Sequence, residues 1–163
     1  MPSEKTDYVF DPAKPTIVMT RLFDAPRRLV WDAMTKPEYL KRWYGPPENE
    51  STYEVDLRPG GSHRFANKSQ WGEFVSTGVY REVTPPERLV YTSRSAQLPF
   101  QESVVSTTLE EKGGKTTMTT TTVFASIEDR DGFVKMPYAT KGNTASLDRL
   151  EKLLGELAGA KAA

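Results

Sequence analysis

The chain has 163 residues with 22 basic and 22 acidic side chains, so its formal net charge at pH 7 is zero. A balanced charge gives no long-range attraction to phosphate backbones or anionic lipid, and we expect neither nucleic acid nor membrane insertion. The absence of cysteine excludes disulfides and thiolate chemistry. The N-terminus is polar and no apolar run could span a bilayer, which favours a soluble cytoplasmic protein.

The first part of the chain predicts an arm, a strand and two short helices. Residues 1–14 form an extended or loose arm, and 16–23 is rich in β-branched residues, as strands are. A helix is predicted over 27–34 and another over 36–43. Proline cannot continue a helix, so Gly45-Pro46-Pro47 ends the second one.

Two N-caps are predicted in this region. Asp24 precedes the first helix and has a side chain suited to capping. Thr35 and Glu38 have the spacing of a capping box, in which each side chain bonds the other residue's backbone amide.

The middle of the chain predicts an antiparallel meander. Six segments rich in Val, Thr, Tyr and Phe are separated by short turn sequences, and short links join antiparallel neighbours. These segments are 51–57, 62–67, 73–83, 88–95, 102–111 and 115–126.

The C-terminal part predicts a long amphipathic helix. Ser126 and Asp129 form another capping box, which opens a short helical turn. From Tyr138 to about Ala158, apolar residues keep helical spacing. They are Ala139, Leu147, Leu150, Leu154 and Leu157. The fold class is therefore α+β: a curved antiparallel sheet wrapped around one long helix, as a single domain over 15–158 with a tail at 159–163.

Five stretches of the chain resemble one protein family. They are "FDAPRRLVWDAMTKPEYLKRWYGP", "DLRPGGSHRF", "GVYREVTPPERLVYT", "GGKTTMTTTTVF" and "SLDRLEKLL". The chain resembles the activator of Hsp90 ATPase homologue 1-like branch of the SRPBCC superfamily, which also contains START, Bet v 1 and polyketide cyclase domains. The resemblance implies the helix-grip fold and an apolar cavity between sheet and helix that binds hydrophobic molecules.

The same resemblance gives little reason to expect an Hsp90-type chaperone as partner. The co-chaperone carries a separate N-terminal domain, whereas about 15 residues precede the first predicted strand here. No cofactor is predicted, and a homodimer is left open.

His63 is the only histidine in the chain. Alternation along a strand places it on one face with Phe65, so both face the cavity if either does. No serine elbow or ligand cluster accompanies it, so neither a catalytic triad nor a metal site is predicted. The alternative is an ordinary strand residue near a turn.

Aromatic and polar residues on several elements are candidates for the cavity wall. Ligand pockets are mostly apolar with a few placed polar groups. The candidates are Trp43, Tyr44, His63, Phe65, Trp71, Tyr80, Tyr91, Arg94, Met118, Phe124, Met136 and Asn143. Catalytic residues are unknown. We expect binding of a small hydrophobic or amphipathic ligand; the alternatives are a cyclase-, dehydratase- or hydrolase-type cavity enzyme and a protein-interaction domain.

Overall fold

A computed structural model describes residues 6–69, 72–136 and 138–162. Eight strands form the sheet: β1 (Thr6–Phe10), β2 (Thr16–Phe23), β3 (Glu50–Val55), β4 (Ser62–Ser69), β5 (Gly72–Thr84), β6 (Arg88–Ser95), β7 (Ser103–Lys112) and β8 (Lys115–Val123). The α-helices are α1 (Arg27–Thr35), α2 (Pro37–Trp43), α3 (Ile127–Val134) and α4 (Asn143–Ala162). A π-helical turn, Tyr138–Gly142, leads into α4.

All neighbouring strands are antiparallel, and their order across the sheet is β1-β2-β8-β7-β6-β5-β4-β3. The predicted six-strand meander is confirmed as β3 to β8. The fold is α+β, with a curved antiparallel sheet and a long C-terminal helix, as predicted. β3 forms the edge of the sheet opposite β1. The chain crosses from β2 to β3 through α1 and α2, so these helices lie at one end of the sheet.

The N-terminal arm contains a strand that the sequence did not predict. β1 pairs with β2 over Thr6–Phe10, and its Tyr8 hydroxyl contacts the Thr144 hydroxyl at 2.9 Å. Four of its five residues, Thr6, Tyr8, Val9 and Phe10, are strand formers, but so short a run does not stand out from a loop. At the other terminus α4 continues to Ala162, through most of the segment predicted as a tail.

Two of the three predicted helix caps are wrong. Pro26, rather than Asp24, occupies the N-cap of α1 and makes no side-chain cap bond. Thr35 is the last residue of α1, and its hydroxyl donates to the Trp31 carbonyl at 2.7 Å, so it cannot begin a capping box. Ser126 is the N-cap of α3 as predicted, and its hydroxyl accepts from the Asp129 amide at 3.0 Å.

The core lies between the inner face of the sheet and the apolar stripe of α4. Leu147, Leu150 and Leu154 are buried as the helical spacing predicts, and Leu153 joins them. They pack in one cluster with Phe23 and other inward-facing strand residues. No helix within the described residues is long and apolar enough to cross a membrane.

Among the residues whose side chains the structure describes, Arg21 of β2 is the largest that is fully buried, and it joins the sheet to α4. Its Nη2 atom lies 2.9 Å from Asp148 Oδ1, and Nη1 donates to the Thr6 hydroxyl at 2.6 Å. The guanidinium also lies 5.4 Å from the centre of the Phe23 ring. A buried charge is tolerated only when it is paired and hydrogen-bonded, so these contacts fix α4 relative to β2.

The corner where α2 ends is tied to α1 and to α4. Trp43 is 6% exposed, and its indole nitrogen donates to the Ala33 carbonyl at 2.8 Å. Its own carbonyl accepts from Arg149 Nε at 3.0 Å, while Ser146 donates to the Tyr44 carbonyl at 2.7 Å. The end of α2 therefore depends on both packing and polar contacts with its neighbours.

Replacing Trp43 with alanine is expected to lower the free energy of unfolding by about 3–5 kcal/mol, because it leaves a cavity and an unpaired Ala33 carbonyl. Urea denaturation of W43A, with W43F as the control that keeps a ring, measures this loss. An unchanged unfolding midpoint for W43A would show that the corner does not depend on this side chain.

Candidate functional site

Seven rings form a continuous aromatic cluster on the inner face of the β3–β6 half of the sheet. We define the aromatic cluster as Trp43, Tyr44, Tyr53, His63, Phe65, Tyr80 and Tyr91. Tyr44 lies with its ring centre 5.1 Å from that of Phe65, and Phe65 lies 5.2 Å from His63. His63 in turn lies 5.2 Å from Tyr91. Edge-on ring contacts of this length are favourable beyond simple burial.

Strand alternation brings these rings together. Register pairs Tyr53 of β3 with Phe65 of β4, and Tyr80 of β5 with Tyr91 of β6. His63 and Phe65 share the inner face, as predicted from their spacing. Trp43 and Tyr44, at the C-terminal end of α2, pack against the same surface.

His63 occupies a place that only a glycine opposite it permits. It pairs with Gly78 of β5, where an added Cβ would lie 1.7 Å from the Thr92 carbonyl oxygen and 2.5 Å from His63 Nε2. The imidazole Nε2 atom lies 2.9 Å from that same carbonyl oxygen. The Val79 amide bonds the Thr92 hydroxyl instead, at 2.9 Å. The Thr92 carbonyl therefore has the His63 side chain as its partner, in place of a backbone amide of β5.

This contact determines the tautomer of His63. A carbonyl oxygen can only accept, so Nε2 carries the proton and Nδ1 keeps a lone pair. Nδ1 is buried and has no hydrogen-bond partner among the described residues. Burial lowers the pKa of His63 below its usual 6.5, opposed by the bond to Thr92. The ring is therefore neutral at pH 7 and presents one unused acceptor inside the cluster.

The hydroxyls of Tyr44, Tyr80 and Tyr91 are held in their protonated form, because the pKa of each is raised. Burial, with a further contribution from Tyr53, raises the pKa of Tyr44 to about 12. Burial also raises the pKa of Tyr80 and Tyr91, and repulsion from the Tyr44 phenolate adds to both shifts. Each of these pKa shifts includes a contribution from another tyrosine, so the hydroxyls lie close to one another. At neutral pH the hydroxyls of Tyr44, Tyr80 and Tyr91 are therefore uncharged hydrogen-bond donors.

Two buried polar atoms on this face have no hydrogen-bond partner within the described residues. One is Nδ1 of His63. The other belongs to Asn67, which follows Phe65 on the same face of β4 and has a buried Oδ1 atom with no partner. The Nδ2 atom of Asn67 lies 3.5 Å from the Tyr53 hydroxyl. Buried polar groups normally have partners, so this face can still form several hydrogen bonds.

An open groove of about 490 Å³ runs along β3, β4 and β5, chiefly on the outer face of the sheet, because Ser62, Arg64 and Thr77 alternate with the inward-facing rings. Its lining is Glu54, Val55, Asp56, Ser62, His63, Arg64, Thr77 and Gly78. His63 and Gly78 thus belong both to the groove and to the contact described above. The charged residues here are paired: Arg58 Nε lies 3.0 Å from Asp56 Oδ2, and Arg64 Nη1 lies 4.0 Å from Glu54 Oε2.

Two predicted wall residues, Arg94 and Phe124, lie in a different place. They line a pocket of about 80 Å³ at the ends of β6, β7 and β8, together with Phe100 and Phe133. Phe124 is 5.3 Å from Phe133 between ring centres. Gly132 of α3 allows this packing, because a Cβ there would lie 2.8 Å from the Phe100 ring.

The other predicted wall residues are dispersed. Met118 is buried in the main core opposite Arg21 of β2. Met136 lies between α3 and the π-helical turn, where its amide donates to the Phe133 carbonyl. Asn143 is exposed and donates to the Tyr8 hydroxyl at 3.2 Å, so its amide faces β1. Trp71 lies outside the described residues.

Sequence reasoning missed Tyr53 and Asn67. Alternation could have indicated both. Tyr53 is the direct partner of Phe65 on the neighbouring strand, and Asn67 lies two residues beyond Phe65 on the same face. Among the described residues no group of three or more His, Asp or Glu side chains could hold a metal ion.

The lowered pKa of His63 predicts a pH-dependent stability. The unfolded chain takes up a proton near pH 6.5, whereas the folded chain resists it, so the free energy of unfolding falls as the pH drops through about 6.5. It is highest above pH 7, and one proton limits the slope to about 1.4 kcal/mol per pH unit. Urea denaturation at several values between pH 7.5 and 5.5 measures it. H63Q, which removes the only histidine, should flatten the profile; an equally steep profile in H63Q would contradict this assignment.

Comparisons with known proteins agree with this architecture. A crystal structure of a Mycobacterium smegmatis protein aligns with a TM-score of 0.83 and 24% identity, over 91% of this chain and 96% of that one. A Nitrosomonas europaea protein aligns with a TM-score of 0.76 and 28% identity, over 91% and 98%. A Staphylococcus epidermidis protein aligns with a TM-score of 0.77 and 27% identity, over 91% and 94%.

No curated protein matches the chain by sequence. The family described as activator of Hsp90 ATPase homolog 1-like protein matches residues 24–155. That range contains both short helices, β3 to β8 and most of α4. The chain therefore belongs to the activator of Hsp90 ATPase homolog 1-like family.

Proposed function

We propose that this protein binds a small hydrophobic or amphipathic ligand against the aromatic cluster. The observation that carries the proposal is the pairing of a broad ring surface with two buried polar atoms that have no partner among the described residues, Nδ1 of His63 and Oδ1 of Asn67. Ligand sites typically combine apolar walls with a few polar groups that orient the ligand.

Binding fits the electrostatics of the cluster better than acid–base catalysis does. A general acid or base works best with a pKa near the operating pH. Burial moves the pKa of Tyr44, Tyr80 and Tyr91 upward, away from neutrality. These phenols are suited to donating hydrogen bonds to a bound molecule rather than to releasing protons.

Ligand binding is expected to be saturable and to depend on the rings of the cluster. Titration with the neutral fluorophore Nile red, followed by displacement with fatty acids, sterols and planar aromatic compounds, measures it, alongside native mass spectrometry of the purified protein. F65A and Y91A should each weaken binding by about tenfold or more, since each removes ring contacts and buried area.

The matched control is L22A, because Leu22 lies on the outer face of β2 and is 47% exposed. It should bind as the unaltered protein does. Circular dichroism establishes that each variant is folded. If no compound of the panel binds saturably, or if L22A weakens binding as much as F65A does, the proposal is wrong.

A further inference from the structure

We infer that the ligand of the aromatic cluster is uncharged and carries a hydroxyl group, which donates to Nδ1 of His63 and accepts from a tyrosine hydroxyl. This inference rests on the proposed function and narrows it to a chemical class. It makes His63 the residue that determines specificity.

The first step is the fixed polarity of His63. The Thr92 carbonyl oxygen, 2.9 Å from Nε2, requires the proton on that nitrogen. Nδ1 is then an acceptor, and the residue is only 3% exposed, with Nδ1 unpartnered among the described residues. A ligand that satisfies Nδ1 must therefore bring an O–H or N–H group.

The second step is the polarity of the neighbouring tyrosines. The rings of Tyr80 and Tyr91 lie 5.3 and 5.2 Å from that of His63. Their hydroxyls remain protonated at neutral pH and can donate to a ligand oxygen. A hydroxyl group donates and accepts through one oxygen, so it satisfies both kinds of partner at once. An ether can only accept and leaves Nδ1 unpaired.

The third step is charge. The residues that make up the aromatic cluster carry no formal positive charge at neutral pH, and the Asp56 carboxylate is close enough to raise the pKa of Tyr80. The nearby guanidinium groups of Arg58 and Arg64 are already paired with the carboxylates of Asp56 and Glu54. A carboxylate ligand would lose its hydration beside a negative side chain without gaining a free cation. An uncharged ligand avoids that desolvation cost.

Access to Nδ1 requires a ring to move. Phe65, Tyr80 and Tyr91 surround the imidazole at 5.2–5.3 Å between ring centres. Rotation of a tyrosine side chain leaves the strand backbone in place and exchanges one ring contact for a contact with the ligand. A planar apolar body suits the space that such a rotation opens, because aromatic edges and faces remain on the other sides.

Three probes with the same ring system separate these requirements: 2-naphthol, 2-methoxynaphthalene and 2-naphthoate. At pH 7.5, 2-naphthol should bind at least about tenfold more tightly than either of the other two, because only it can donate to Nδ1 without carrying a charge. H63F should bring the ratio of naphthol to methoxynaphthalene affinity close to one. Y39F, a tyrosine variant outside the cluster, should leave the ratio unchanged.

The outcomes distinguish this inference from the proposed function. Equal binding of 2-naphthol and its methyl ether, or tightest binding of 2-naphthoate, overturns the inference while leaving a ligand-binding protein. Failure of all three probes, when a compound of the wider panel binds, also overturns it. If H63F does not fold, the ratio measured with the unaltered protein decides the matter. If nothing in the wider panel binds, the proposed function itself fails.

Discussion

The structure depends on a mismatch of width between the sheet and the helix that covers it. Eight strands spaced about 4.8 Å apart make a sheet about 34 Å wide, whereas a helix with its side chains is about 10–12 Å across. α4 is anchored on the side of β1 and β2, through Tyr8 and Arg21. The other half of the inner face has to be covered by something else, and here aromatic side chains and the end of α2 cover it.

This division explains why the candidate site lies where it does. The leucines of α4 pack in the first half as a solid core, where the buried charge of Arg21 is paired with Asp148. On the β3–β6 half, tyrosine and histidine rings cover the sheet and bring hydroxyl and imidazole groups with them. Because those rings come from four strands and α2, they meet at edges rather than interlocking as leucines do. Polar atoms without protein partners are the result.

Much of the fold could be predicted because each main element carries its own local signal. β2 and β6 have the predicted bounds, since β-branched runs between turn residues are unambiguous. The capping box at Thr35 failed because α1 runs one residue further than expected and uses that hydroxyl internally. Of the predicted wall residues, the inward-facing rings of β4, β5 and β6 and the two rings at the end of α2 meet in the cluster, whereas Met118 of β8 lies in the main core. Asn143 does not join the cluster, because its side chain is exposed and donates to the Tyr8 hydroxyl of β1.

The contacts of β1 have a consequence for the solubility of the protein. β1 covers one hydrogen-bonding edge of β2, a strand that contains no proline and whose single charge, Arg21, is buried. Uncovered, such an edge is a template for pairing with another chain, and its apolar sequence favours aggregation. Arg130 holds the connection between the two strands by donating to the Asp11 and Lys14 carbonyls at 2.8 and 2.9 Å. β1 then becomes the edge strand, and its 5 residues offer a shorter template for pairing than the 8 residues of β2 would.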